Sequence, residues 1–383
     1  MRLIRRFDLW KRMRHRLRRR RSGTGGHRRG PVTHVVILDG TLATLSAGAE
    51  TNAGLTYKLL AEGGRRADRT LFYETGLQWQ DCAGLRAVIM GDGLDRQIER
   101  AYGHLASRYR PGDRIFLFGF SRGAFAVRSL AGVIHEVGLP RAEAATERTI
   151  RQAFRHYRQP PSAATAARFT RAHCHAGVPI EMVGVWDTVK ALGLRLPLLW
   201  RLTEPAHAFH THQLGPNVRH GYHALALDET RAAYAPEMWE TDGHAGRVEQ
   251  RWFAGGHGDV GGELKGFAAA RPRSNLALVW MLGRAEAAGL ALPEGWRTRF
   301  PCDAAAPSCG TWQGWGKLFL IRGRRAVGRD RSEVIDPTAR PAGGRIAPGA
   351  PAGGALTEDA AESGVGAVGA VGGVGAQAPL RAG

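Results

Sequence analysis

The chain has little cysteine: only Cys82, Cys174, Cys302 and Cys309 occur in 383 residues. None falls in a C-x-x-C pair, and the density is too low for a disulfide framework. Reduced thiols are expected, and a Cys302–Cys309 bridge has no support from the pattern. Long apolar stretches are missing too. No uninterrupted run approaches the ~18 residues of a membrane-spanning helix. Arg5-Arg6 has the form of a twin-arginine signal, but no apolar segment follows, which excludes that signal and a secretory signal peptide. Acidic residues are few: 34 Asp and Glu stand against 54 Lys and Arg, for a formal charge of +20 and a pI near 11.0.

The basic excess is uneven. Residues 1–30 hold thirteen Lys and Arg and a single acid, Asp8, a net +12, so the other 353 residues carry +8. The body of the chain therefore need not bind polyanions. In the arm, Leu3, Phe7, Trp10, Met13 and Leu17 recur at helical spacing among the arginines. Residues 1–21 read as a basic amphipathic helix suited to an anionic membrane surface, or as a solvated tail. A nucleic-acid contact through Arg18 to Arg21 is the least favoured reading. From about Pro341 the chain turns to Ala, Gly, Pro and Val, as in Gly364-Val-Gly-Ala-Val-Gly369. Such a stretch has little to bury against the entropy of ordering. The expected organisation is an arm over 1–31, a catalytic domain over 32–341 and a disordered tail over 342–383.

Inside that domain, strand and helix patterns alternate. Strands are expected at His34–Asp39, Arg114–Phe120, Ile180–Trp186 and Gln250–Ala254. Helices are expected at Asp95–Tyr109, from Arg122 onward, and at Asn275–Ala288. Ile98, Tyr102, Leu105 and Tyr109 would line one helix face; Leu278, Leu282 and Ala285 would line another. This order implies an α/β fold, a mainly parallel sheet with helices on both faces. In such sheets functional groups gather just after the carboxyl ends of strands.

Gly119-Phe120-Ser121-Arg122-Gly123 fits G-x-S-x-G, and it lies between a buried strand pattern and a helix pattern. That is the setting of a nucleophile elbow: small residues at Gly119 and Gly123 permit a tight turn, and the following helix N-terminus offers free N–H groups. A serine hydroxyl needs a base, and the base an orienting carboxylate. Asp187 follows the third strand and His257 the fourth, in the order Ser121, Asp187, His257. Asp228 and Asp259 compete for the acid's role. Asp259, two positions from His257, is too near in sequence to orient the ring and is expected to support the loop. An oxyanion hole would draw on the Arg122 N–H and on Gly40 or Thr41, after the first strand.

Two rival readings are weaker. His207, His210, His212, His220 and His223 crowd one segment, but their spacing fits no zinc signature, so no metal is expected. Ile37-Leu-Asp-Gly-Thr-Leu42 resembles the first motif of haloacid-dehalogenase phosphatases. That motif needs a nucleophilic Asp where this chain has Ile37, which leaves Asp39 as a turn aspartate.

Taken together, Asp39-Gly-Thr41, Tyr73-Glu-Thr-Gly76, Pro111 to Arg128, Gly184 to Val189, His223 to Glu229, Trp252 to Gly262 and Glu333 to Asp336 occur in one order over about residues 33–340. This set resembles the bacterial α/β-hydrolase family that contains type VI secretion phospholipase effectors of the first lipase-effector class. The resemblance implies an α/β-hydrolase fold with serine, aspartate and histidine at Ser121, Asp187 and His257. Leu38 departs from the aromatic usual before the aspartate, and Tyr73-Glu-Thr-Gly76 is less glycine-rich than the family form. The large membrane-targeting region of the best-known effectors has no counterpart. A toxin and a housekeeping esterase both remain open, as do export without a signal peptide and a place in the cytoplasm or at the inner membrane.

Leu192 to Leu202, between acid and base, is apolar and reads either as a cap lining an acyl pocket or as ordinary packing. The expected substrate is a lipid or small ester, cleaved through an acyl-enzyme on Ser121 without a cofactor. The alternative is a non-catalytic membrane- or nucleic-acid-binding protein on a hydrolase scaffold. No immunity or secretion partner can be named from the sequence.

Overall fold

A computed structural model describes residues 29–76, 92–189, 213–242, 247–312, 317 and 319–339. Both the basic arm before Arg29 and the tail after Ala339 lie outside them, as do Leu192 to Leu202 and Cys82. Seven strands form one sheet: β1 (Thr33–Leu38), β2 (Arg69–Glu74), β3 (Arg114–Phe120), β4 (Ile180–Trp186), β5 (Val218–Ala226), β6 (Arg247–Phe253) and β7 (Glu333–Ile335). Their order is β2-β1-β3-β4-β5-β6-β7, and every pairing is parallel. The expected α/β class with a parallel sheet is what the chain adopts.

Side-chain alternation along the strands divides the core in two. Val36 and Leu38 of β1 point with Ile115 and Leu117 of β3 into one layer. Val35, Ile37, Phe116, Phe118 and Phe120 point into the other. A sheet buried on both faces needs near-continuous apolar strands, which β1 and β3 supply. The first layer is covered by α2 (Asp92–Ala106), α3 (Arg122–Glu136), α4 (Glu147–Arg158) and α5 (Ala163–His173). The second is covered by α1 (Asn52–Ala61) and α7 (Arg271–Ala287), with the five-residue α6 (His257–Gly261) between β6 and α7.

Several boundaries differ from expectation. Helix α2 ends at Ala106, although Tyr109 is still buried and its N–H still reaches the Leu105 carbonyl. Helix α7 begins at Arg271, where Pro272 suits a first helical turn. Strand β6 begins at Arg247. Strands β2, β5 and β7 and helices α1, α4, α5 and α6 have no counterpart in the sequence reading. In β5 the run Arg219-His220-Gly221 breaks the apolar pattern ahead of the buried half.

The chain leaves β1 for β2 on one side, while β3 lies on the other. Loops leaving β1 and β3 therefore diverge, and a crevice opens at the carboxyl edge of the sheet, where such folds hold ligands. Ser121 lies at this crevice.

Candidate active site

Ser121 joins β3 to α3 with φ of 56° and ψ of −120°. A non-glycine residue in this region is strained, and the surroundings must hold it there. The Ser121 N–H donates to the Trp186 carbonyl at 3.0 Å, which pins the turn to β4. Close approach fixes the flanking glycines. A Cβ on Gly119 would lie 2.5 Å from the Gly123 carbonyl oxygen; one on Gly123 would lie 2.1 Å from the Leu38 carbonyl oxygen and 2.5 Å from that of Asp39. Helix α3 therefore rests its first turn directly on the end of β1.

His257 opens α6. Its Nε2 is 2.9 Å from Ser121 Oγ, and its Nδ1 is 2.6 Å from Asp187 Oδ2. The three residues form one buried hydrogen-bonded chain; Ser121 is 7% exposed, His257 2% and Asp187 0%. The imidazole packs between the rings of Phe120 and Tyr234, with centroids at 4.8 and 4.9 Å. Its loop is held from below. Asp259 accepts the Gly256 N–H at 2.8 Å, the Ser308 hydroxyl at 2.5 Å and the Cys309 N–H at 2.7 Å. Asp228 accepts the Gly255 N–H at 2.6 Å, and at Gly255 the backbone has a φ of 109° that favours glycine. Both rival carboxylates thus serve the histidine loop, and neither faces the ring nitrogens.

Asp187, just past β4, also has positive φ, 39°. Its Oδ1 accepts the Ala226 N–H at 3.0 Å. Arg325 makes a two-pronged ion pair with it, Nη1 to Oδ1 at 2.5 Å and Nη2 to Oδ2 at 2.9 Å. Complete burial would push this carboxyl upward. The Arg325 guanidinium, with His257, outweighs that and holds it far below the usual carboxylate range. A second carboxylate approaches the histidine: Glu229 Oε2 accepts the His257 N–H at 3.1 Å while Arg231 pairs with Glu229 at 2.7 Å.

The expected oxyanion donors divide. The Gly40 N–H donates to the Asp39 carboxylate at 2.7 Å, so it is not free to meet an oxyanion, and Gly40 is corrected to a packing role. A Cβ there would meet the Phe120 ring at 2.8 Å. The N–H groups of Thr41 and Arg122 have no acceptor among the described residues. Asp39 organises this loop, accepting also from Thr51 at 2.6 Å and Tyr73 at 2.8 Å. Burial raises its carboxyl to about 6 despite those donors. Beyond Tyr73, Gly76 donates its N–H to the Gly40 carbonyl at 3.1 Å, so the Tyr73-Glu-Thr-Gly76 segment braces the Asp39-Gly-Thr41 turn.

Residues 33–284 match the family described as T6SS phospholipase effector Tle1-like, catalytic domain. The chain belongs to this family. A curated relative, the uncharacterized protein YEL023C of Saccharomyces cerevisiae, is 28% identical over 56% of this chain and 35% of its own length. Among solved structures, an uncharacterized protein from Pseudomonas aeruginosa aligns with a TM-score of 0.39 at 14% identity, covering 72% of this chain and 49% of that one. A Tle1 effector bound to the VgrG spike of the type 6 secretion system aligns with a TM-score of 0.33 at 16% identity, covering 61% and 51%. The chain spans between about a third and a half of the length of these relatives.

In this Tle1-like chain the site reaches past the matched residues. Arg325, Ser308 and Cys309 all lie beyond residue 284 yet contact Asp187 or the His257 loop. Sequence reasoning missed Arg325, Tyr234 and Arg231. Glu229 carried a signal, as part of the His223 to Glu229 motif; Arg325 carried none. Cys302 and Cys309 are both free thiols. His223 is a buried core residue, its Nε2 accepting the Thr188 N–H at 3.0 Å. Burial drives its pKa down to about 3, so it remains the neutral acceptor that this bond requires. His207, His210 and His212 lie outside the described residues.

Proposed function

We propose that the chain is a serine hydrolase that cleaves acyl esters of lipids, with phospholipids as the leading substrate class. The observation that carries this reading is the buried chain Ser121 Oγ, His257, Asp187 on a strained elbow. Membership of a family described by phospholipase effectors supports the lipid part. In the proposed reaction the Ser121 oxygen attacks the ester carbonyl while His257 Nε2 takes its proton. The new oxyanion accepts hydrogen bonds from the N–H groups of Arg122 and Thr41. Asp187 holds the proton on Nδ1 and stabilises the imidazolium. The imidazolium then protonates the departing alkoxide, leaving an acyl-Ser121 ester. A water that gives its proton to His257 hydrolyses that ester. A small cavity beside His257 is lined by Arg231, Tyr234, Gly258, Glu263, Leu264 and Thr311. Delivery as a secreted effector, through a spike partner such as the one the Tle1 effector binds, belongs to the same proposal.

The test uses the purified full chain on a short aryl ester and on phosphatidylglycerol vesicles, with wild type and Ser121→Ala. Hydrolysis abolished by the substitution is the expected result, with the lipid as the better substrate. Activity unchanged by the substitution would overturn the proposal and favour a non-catalytic binding protein on this scaffold.

A further inference from the structure

The geometry points to the rim of the site as a docking surface for a bilayer that contains anionic lipid. This deepens the proposed reading of the chain as a lipid hydrolase and rests on it for the choice of partner. Among the described residues the exposed large apolar side chains are Leu42, Phe267, Trp312, Leu320 and Ile321, between 39% and 76% exposed. Such side chains scattered singly over a surface are ordinary; these are gathered in one place. Leu42 follows Thr41, whose N–H faces the crevice as an oxyanion donor in the proposed reaction. Phe267 donates its N–H to the carbonyl of Leu264, a lining residue of the cavity beside His257. Trp312 follows Thr311, which lines the same cavity. Leu320 and Ile321 follow Phe319, whose ring meets that of Tyr234 at 5.5 Å, and Tyr234 in turn packs on the imidazole. All five therefore lie beside the site.

The backbone holds them there. The Ala232 N–H donates to the Ile321 carbonyl at 3.0 Å, and the Gly323 N–H to the Thr230 carbonyl at 2.8 Å. Arg322 bonds Thr230 and Thr311 and lies over the Trp312 ring at 3.5 Å. Phe319 turns inward onto Tyr234 while Leu320 and Ile321 stand in solvent on a pinned chain, so little ordering is left to oppose their insertion. Leu42 has a φ of 63°, a left-handed backbone that a leucine adopts only under constraint. Charge selects the occupant. Residues 311–329 include Lys317, Arg322, Arg324, Arg325 and Arg329 and no acid. Arg325 is engaged by Asp187, whereas Lys317, Arg324 and Arg329 are exposed. Near Phe267, Glu263 and Lys265 offset each other at 4.0 Å. Apolar side chains interleaved with unopposed cations match the boundary between acyl chains and anionic headgroups, and a tryptophan suits that level. A lipid ester would then reach the crevice from the bilayer itself.

The test measures partition of the full chain onto sedimented vesicles, in the Ser121→Ala background so that no lipid is consumed. One set of vesicles is phosphatidylcholine and the other contains phosphatidylcholine and phosphatidylglycerol in equal parts. Leu320→Gln/Ile321→Gln should lower the partition coefficient on both sets by about tenfold or more. Arg324→Gln should lower the preference for the mixed vesicles by about fivefold. Every variant keeps residues 1–30, so the arm contributes equally to each. A double variant that binds within about twofold of its parent overturns the inference. With binding unchanged, a lowered melting temperature would mean that a segment of the chain covers these side chains, and a lost dimer would mean that a second copy does. If the double variant does not fold, an unchanged lipid preference in Arg324→Gln overturns the inference instead. Partition does not require cleavage. Rim-dependent binding by a chain whose Ser121 form hydrolyses no ester would sink the proposed function and leave the docking surface standing.

Discussion

Replacing Asp187 by Asn tests the acid–arginine pair as a structural element, separately from any catalytic role. The substitution is isosteric, but it removes the counter-charge of a guanidinium whose side chain is only 5% exposed. Breaking one side of a buried ion pair costs about 3–5 kcal/mol, because the other charge stays buried without compensation. The bonds that Asn retains, to the Ala226 N–H and to one arm of Arg325, put the expected loss near the lower end, about 3 kcal/mol. For a domain of about 310 residues that corresponds to a melting temperature lowered by roughly 5 °C. The assay is urea denaturation at pH 7, followed by tryptophan fluorescence. The double variant Asp187→Asn/Arg325→Met should recover part of the loss, since it removes the orphaned charge, and should recover no activity. The pH dependence has a definite sign. The folded carboxyl is depressed, so its stabilising effect is complete above the unfolded value of about 3.9 and fades as pH falls toward the lower folded value. Wild type should lose stability there more steeply than Asp187→Asn. A folded Asp187→Asn within about 1 kcal/mol of wild type would refute the claim that this ion pair is a buried, interdependent unit.

Other outcomes follow from the same geometry. Ser121→Gly should be more stable than Ser121→Ala by about 1 kcal/mol, because glycine relieves the backbone strain at φ 56° while both lack the hydroxyl; parallel thermal melts check this, and equal values would mean the turn is unstrained. Gly123→Ala should abolish ester hydrolysis and destabilise the fold, since its Cβ would press on two backbone carbonyls that cannot swing away; wild-type melting and turnover would contradict the contact. Asp39, raised to about 6, binds a proton in the folded protein that the unfolded chain has released. Its contribution to stability therefore falls as pH rises between about 4 and 6. Asp39→Asn should flatten that slope in a series of denaturation curves, and an unaltered slope would show that this carboxyl is not the source.

The parts of the site that the sequence made legible are those whose determinants lie close together in the chain. Arg114 to Gly123 carries a buried strand, a serine between two glycines and a helix start within ten residues, and its bounds in the structure match the reading. Asp187 and His257 were legible because each follows a strand end, where this class of sheet collects its functional groups. Arg325 was not, because its partner is 138 residues away and Arg322-Gly-Arg-Arg-Ala326 has no periodicity to place it on an element. The Gly40 amide was misread for a related reason. Its position after β1 suited an oxyanion donor, but which acceptor it faces depends on a carboxylate rotamer set by Thr51 and Tyr73.

The spacing of the contacts has a consequence for the chain as it is made. Ser121 meets its histidine across 136 positions, and Asp187 meets its arginine across 138. A ribosome delivers these residues in the order Ser121, Asp187, His257, Arg325. Until His257 has been made Ser121 lacks the imidazole it bonds, and until Arg325 has been made Asp187 lacks its counter-charge. Under the proposed function, the site would be completed only when its last two members, contributed late in the chain, have been made and folded against the first two.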